Sequence, residues 1–121
     1  MSIDIKIKLF EHYKRYSLIP PDTDVNDIRD VNQETFNKLK PVLLAKPNPS
    51  AFPGLLACVI GLGASLETVR ALIKHGYGLN DIIPDIGSAL FISYALYIHD
   101  IFIILINFKA NLDIWGHGPF S

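Results

Sequence analysis

Two stretches of this chain read as copies of one another displaced by 33 residues. A step of 33 carries Glu67, Val69, Leu72, Ile73, Leu79 and Asn80 onto Asp100, Phe102, Leu105, Ile106, Leu112 and Asp113, and Gly54 onto Gly87. Acid falls on acid, aliphatic on aliphatic or aromatic, and Asn on Asp. A period of about 33 residues fits a unit of two helices and a turn, which buries its apolar face only against a neighbouring unit. The chain is therefore constrained to stack.

The first copy shows how each unit is built. In "SLETVRALIKHGYGLND" (65–81), Leu66, Val69, Leu72 and Ile73 share one helical stripe while Glu67, Arg70 and Lys74 face water. Gly76 is placed to end this helix in the left-handed conformation, after Lys74 and His75, which suit the negative end of its dipole. Gly78 is expected to let the chain turn away toward the next unit. In the second copy, Lys109 and Asn111 stand at this exit, which predicts a more strained one.

Twenty nearly continuous apolar residues, 89–108, reach the length that spans a bilayer. His99 and Asp100 lie near the middle, where an uncompensated aspartate costs about 2.5–3.5 kcal/mol on insertion scales. Two short buried helices joined at His99-Asp100 avoid that cost, so no membrane partner is expected.

The 121 residues suit one domain. A net charge of −1 gives no reason to expect nucleic acid. Cys58, the only cysteine, allows no internal disulfide and fits a reducing compartment. The first sixteen residues have charge throughout and no apolar signal core, so a cytoplasmic protein is expected.

Two units cannot close a core alone, so residues 1–50 must cover them. Ile3, Ile7, Phe10 and Leu18 stand near helical spacing; Ile3, Ile5, Ile7 and Leu9 also alternate like a strand, but that period collapses after Leu9 and helix is favoured. "NQETFNKLKPVLLA" (32–45) starts on an Asn cap, sets Phe36, Leu39 and Leu43 on one face, and is expected to kink or break at Pro41. Phe36 and Leu39 echo Val69 and Leu72 by a further step of 33. "KPNPS" (46–50) is a turn-rich joint.

These features resemble the ankyrin-repeat family. "LETVRALIKHGYGLN" (66–80) is similar to that family's outer helix and exit loop, and "HDIFIILINFKANLD" (99–113) matches with Lys109 in place of the usual glycine. The inner-helix openings are degenerate: Ser88-Ala89-Leu90-Phe91 replaces Thr-Pro-Leu-His, and Gly54-Leu55-Leu56-Ala57 is fainter. "GHGPFS" (116–121) looks like the opening of a further repeat. The resemblance implies an all-α fold, an ankyrin-type helical solenoid over residues 51–121 with an N-terminal helical cap over residues 1–50.

No catalytic or metal site and no cofactor is expected from the motifs. Cys58 in "LLACVIG" reads as a buried small hydrophobe. His99 and Asp100, being adjacent, diverge on a helix and suit its N-cap region. His75 reads as a helix-end residue, and His12, among Glu11, Lys14 and Arg15, as part of a solvated face. Gly61 and Gly63 lack the spacing and lysine of a phosphate loop and read as a short turn between helices.

The hairpin tips are less bland. "NDIIPDIG" (80–87) places Ile82, Ile83, Asp85 and Ile86 in a connection expected to project, and "DIWGHG" (113–118) does so with Ile114, Trp115 and His117. Trp115, as a residue type enriched in binding hot spots, is the favoured anchor. In the family register, Ile92, Ala95 and Leu96 face the concave side. The expected partner-binding set is thus Trp115, Ile83, Asp85, Ile82, Ile114, His117, Ile92 and Leu96, and the expected partner is another protein. Small catalytically empty chains of the ankyrin type are similar to immunity proteins that neutralise a cognate toxin. The alternatives are a host-directed effector or adaptor, a self-associating unit forming a homodimer through the open C-terminal repeat face, and a small enzyme or ligand-binding domain.

Overall fold

A computed structural model describes residues 2–16, 28–84 and 86–108. The described residues form six α-helices and one small hairpin: α1 (Ser2–Lys14), α2 (Gln33–Leu44), α3 (Leu55–Leu62), α4 (Leu66–His75), β1 (Ile82–Ile83), β2 (Gly87–Ser88), α5 (Ala89–Ala95) and α6 (His99–Asn107). The strands pair antiparallel, Ile82 opposite Ser88 and Ile83 opposite Gly87. None of these helices is long and apolar enough to cross a membrane.

The helices lie in two layers. In one, α1 packs on α3 and α3 on α5; in the other, α2 packs on α4 and α4 on α6. Within pairs, α3 packs on α4 and α5 on α6. The three helices of the second layer begin at residues 33, 66 and 99, and their register positions match: Leu39, Leu72 and Leu105 are all fully buried. Phe36 and Val69 are also fully buried, whereas Phe102, on the last helix, is half-buried.

Local chemistry sets the helix ends. Asn32 Oδ1 accepts from the Glu34 and Thr35 amides, and Thr35 Oγ1 accepts from the Asn32 amide in return, which closes a capping box on α2. Ser65 Oγ accepts from the Thr68 amide to start α4, and Ser88 Oγ from the Phe91 amide to start α5. Gly76 ends α4 at φ 115°, and its amide donates to the Leu72 and Ile73 carbonyls. Lys109 and Asn111, the equivalent exit of the second copy, lie outside the described residues.

Several expectations change. α1 buries Leu9, Phe10 and Tyr13, with Ile5 and Tyr16 packed beside them, and leaves Ile7 43% exposed. The i, i+4, i+8 series from Ile5 through Leu9 to Tyr13 wins because Tyr13 meets Phe36 edge-on at 5.8 Å between centroids. Leu18, like the side chain of Ile3, lies outside the described residues. α2 runs through Pro41 to Leu44 without a break. Proline removes one amide and crowds one earlier turn, and here only the last turn follows it. The apolar run 89–108 breaks at Leu96-Tyr97-Ile98, earlier than His99-Asp100, with Tyr97 in the left-handed region at φ 59°.

Gly61 is a helical residue of α3 rather than part of a turn. A Cβ there would lie 2.2 Å from Leu9 Cδ1 and 3.2 Å from Ile92 Cγ2. Its bare backbone lets α1 and α5 close on α3 from either side. Ile92, expected on a binding face, is accordingly fully buried in the core.

Candidate functional site

One end of α1 is tied to the hairpin through a knot of polar groups around Pro53 and Gly54. The Pro53 carbonyl accepts from Tyr16 Oη and from His12 Nε2, the latter at 3.1 Å. A carbonyl only accepts, so that nitrogen carries the proton. Next in chain, the Gly54 amide donates to Asp81 Oδ2 at 3.1 Å. Gly54 has φ 80°, and a Cβ on it would meet Ile83 Cγ1 at 2.8 Å and His12 Nε2 at 3.3 Å. The Asp81 carboxylate also explains Gly78, whose φ is not left-handed: a Cβ at Gly78 would lie 2.0 Å from Asp81 Oδ2. Both glycines thus make room, one for the hairpin and one for the carboxylate that holds it.

Rings continue the tie away from α1. Tyr16 meets Phe52 edge-on at 5.3 Å, Phe52 meets Tyr77 at 6.4 Å, and Tyr77 Oη donates to the Leu43 carbonyl at 2.6 Å. His75 Nε2 contacts the Lys46 carbonyl at 2.8 Å. Burial raises the Tyr16 phenol, with smaller contributions from Cys58 and Asp81.

Beside this knot is an open cleft of about 290 Å³ lined by Lys8, Glu11 and His12 of α1, by Arg15 in the turn that follows it, and by Ile83, Pro84 and Ile86 of the hairpin. These four residues stand at i, i+3, i+4 and i+7, the last just past the end of α1, and continue a stripe adjoining the one that buries Leu9 and Tyr13. Lys8, Glu11 and Arg15 are exposed, while His12, at the border, is half-buried. A second cleft of about 250 Å³ runs between Lys6, the C-terminal end of α3 and the α5–α6 link at Leu96, Tyr97 and Ile98.

The expected binding residues separate. Ile82 is 46% exposed on the hairpin. Ile83 and Ile86 turn inward and are buried, Ile83 against Gly54, so Ile83 is a wall of the cleft and an anchor of the hairpin rather than a projecting tip. Leu96 is half-buried in the second cleft. Asp85, Ile114, Trp115 and His117 lie outside the described residues. From the sequence, Glu11, Arg15 and His12 read only as a solvated face, and Lys8 carried no reading; their i, i+3, i+4, i+7 spacing is the signal that groups them.

Cys58 is fully buried, and desolvation pushes its thiol up to about 12, which keeps it a thiol. Among the described residues, no three His, Cys, Asp or Glu side chains gather as a metal site. No protein-family model matches the chain, and no curated protein or solved structure is significantly similar to it.

Proposed function

We propose that this chain is a non-catalytic protein-binding module of the ankyrin type, and that its partner docks on the cleft between α1 and the hairpin together with the exposed Ile82. The observation that carries this reading is the fixed placement of the hairpin against α1 by Asp81, Gly54 and Pro53. A surface held in place before binding loses little ordering entropy when it docks. The starts of α2, α4 and α6 at 33, 66 and 99 support the ankyrin assignment. The narrower form implied by the resemblance is an immunity protein that neutralises a cognate toxin, with an effector or adaptor as the alternative.

The test is co-expression with the product of a neighbouring reading frame, followed by co-purification and, where that product is toxic, growth rescue. Lys8→Glu with Arg15→Glu, and separately Ile82→Asp, should each lower affinity by about tenfold or more. Arg70→Glu, on the exposed face of α4, should leave it unchanged. The opposite pattern would place the binding surface on the α2–α4–α6 layer.

A second reading, self-association, is favoured by Ile103 and Ile106, which are 58% and 42% exposed one turn apart on α6. Light scattering coupled to size exclusion tests it: a monomer across the full concentration range removes it.

A further inference from the structure

We infer that the cleft takes an acidic segment of the partner protein, and that Glu11 restricts it to segments whose two carboxylates flank a non-acidic residue. This rests on the binding-module reading and names the chemistry of its ligand.

Charge in this chain is segregated. Residues 2–15 hold four of the eleven Lys and Arg (Lys6, Lys8, Lys14 and Arg15) but two of the twelve Asp and Glu (Asp4 and Glu11). This stretch, α1 and the residue after it, is therefore net positive in a chain of net −1. An acidic partner is steered to α1 and repelled from the remainder.

Within the cleft, Lys8 of α1 and Arg15, in the turn just past its end, are seven residues apart, about 10 Å along the axis at helical rise. Among the residues whose side chains are described, which begin at Ile5 and so exclude Asp4, no carboxylate lies within ion-pair distance of either. Their side chains border an apolar wall of Ile83, Pro84 and Ile86, which excludes water from one side of any pair formed there. The wall also accepts the aliphatic residues of a ligand.

Glu11 lies between the two cations, so the stripe reads cation, anion, cation. An extended peptide advances about 3.3 Å per residue and repeats a face every second residue. Its residues i and i+4 then span about 13 Å, within reach of the flexible Lys8 and Arg15 stems, and residue i+2 faces Glu11. Carboxylates fit at i and i+4, and lysine or a neutral residue at i+2. A nucleic-acid strand has a phosphate at every step, so it would set one against Glu11, which disfavours it.

The experiment is a titration of the isotopically labelled full chain, followed by amide chemical shifts, with three synthetic peptides of equal length. One carries Glu-x-Lys-x-Glu, one Glu-x-Glu-x-Glu and one Lys-x-Glu-x-Lys; a single-stranded oligonucleotide is the fourth probe. The expected result is saturable shifts in the amides of residues 8–15 and of Ile82, Ile83 and Ile86 with the first peptide, weakening with salt. The all-acidic peptide should bind about two- to fivefold more weakly, as one exposed pair converted to a repulsion implies. Lys8→Glu with Arg15→Glu should abolish the shifts, and Glu11→Lys should reverse the order of the two acidic peptides. Equal binding of the two acidic peptides, tighter binding of the oligonucleotide, shifts mapping elsewhere, or no shifts at all would each overturn the inference. If the cleft variants still lowered affinity for the co-expressed partner in that last case, the docking surface would stand and only the acidic ligand would fall.

Discussion

Gly61→Ala tests the packing of α3 more sharply than any deletion, because two effects of opposite sign act at one atom. Alanine gains about 0.8–1 kcal/mol over glycine in a helix interior. Against this, the new Cβ would sit 2.2 Å from Leu9 Cδ1 and 3.2 Å from Ile92 Cγ2, and both partners are fully buried. Overpacking of a filled core costs about 1–3 kcal/mol. The net expectation is a loss of about 0–2 kcal/mol, a fall of a few degrees in Tm for a chain this size. Leu9→Ala alone should cost about 2–5 kcal/mol as a core truncation. In the double variant the methyl introduced by Gly61→Ala occupies part of the space Leu9 vacates, so the two changes should be non-additive by about 1 kcal/mol or more in the stabilising direction. Urea denaturation of the four proteins measures this. If Gly61→Ala stabilised the chain by the full helix-propensity gain, or if the two changes were additive, the glycine would be a conformational residue and the close approach of α1 to α3 would be wrong.

Three further expectations follow from other contacts. Asp81→Ala removes the acceptor of the Gly54 amide and should cost about 1–2 kcal/mol; circular dichroism should keep its helical signal while partner affinity falls. Tyr97, left-handed and 78% exposed, should be improved upon by asparagine: Tyr97→Asn is expected to raise stability by about 0.5–1 kcal/mol in thermal melts, since Asn tolerates that region. Burial raises Cys58 from 9.0 and Tyr13 from 10.0, each to about 12. The folded state then holds protons that the unfolded state releases, so their contribution is fully present below about pH 9 and is lost as pH rises toward 12. Urea midpoints should fall across that window, and Cys58→Ala should flatten the lower part of the decline.

Legibility in the sequence tracked the locality of the cause. The starts of α2 and α4 could be read from Asn32 and Ser65, and the end of α4 from Gly76, because each is set by side-chain or backbone chemistry within a few residues. The same holds for the buried stripe of α4. Ile82 projects as expected, but Ile83 and Ile86 do not; the inward turn of Ile83 depends on Gly54 and Asp81, the latter 27 residues from Gly54. His12 looked solvated because its partner, the Pro53 carbonyl, is 41 residues away. α1 offers two apolar series, Ile3–Ile7 and Ile5–Leu9–Tyr13, and only the packing of Tyr13 on Phe36 selects between them. Gly61 next to Gly63 has the composition of a turn, and nothing short of the neighbouring Leu9 says otherwise. The break at Tyr97 had no signal, since tyrosine carries no preference for a positive φ.

All eight residues of α3 are buried, and none of its side chains is charged. A surface helix released from one neighbour can still present a wetted face, but α3 has none to present. It is enclosed by α1 and α5 within its own layer and by α4 from the other. Detaching either flanking helix therefore strands bare hydrocarbon in water, and the penalty opposes stepwise fraying of the kind that long arrays of similar units permit. The chain should unfold as one cooperative unit, with amide exchange in α1, α3 and α5 reporting a single opening free energy. During synthesis α3 emerges before α5 exists to cover it, which makes that interval the point at which a nascent chain is most exposed to aggregation.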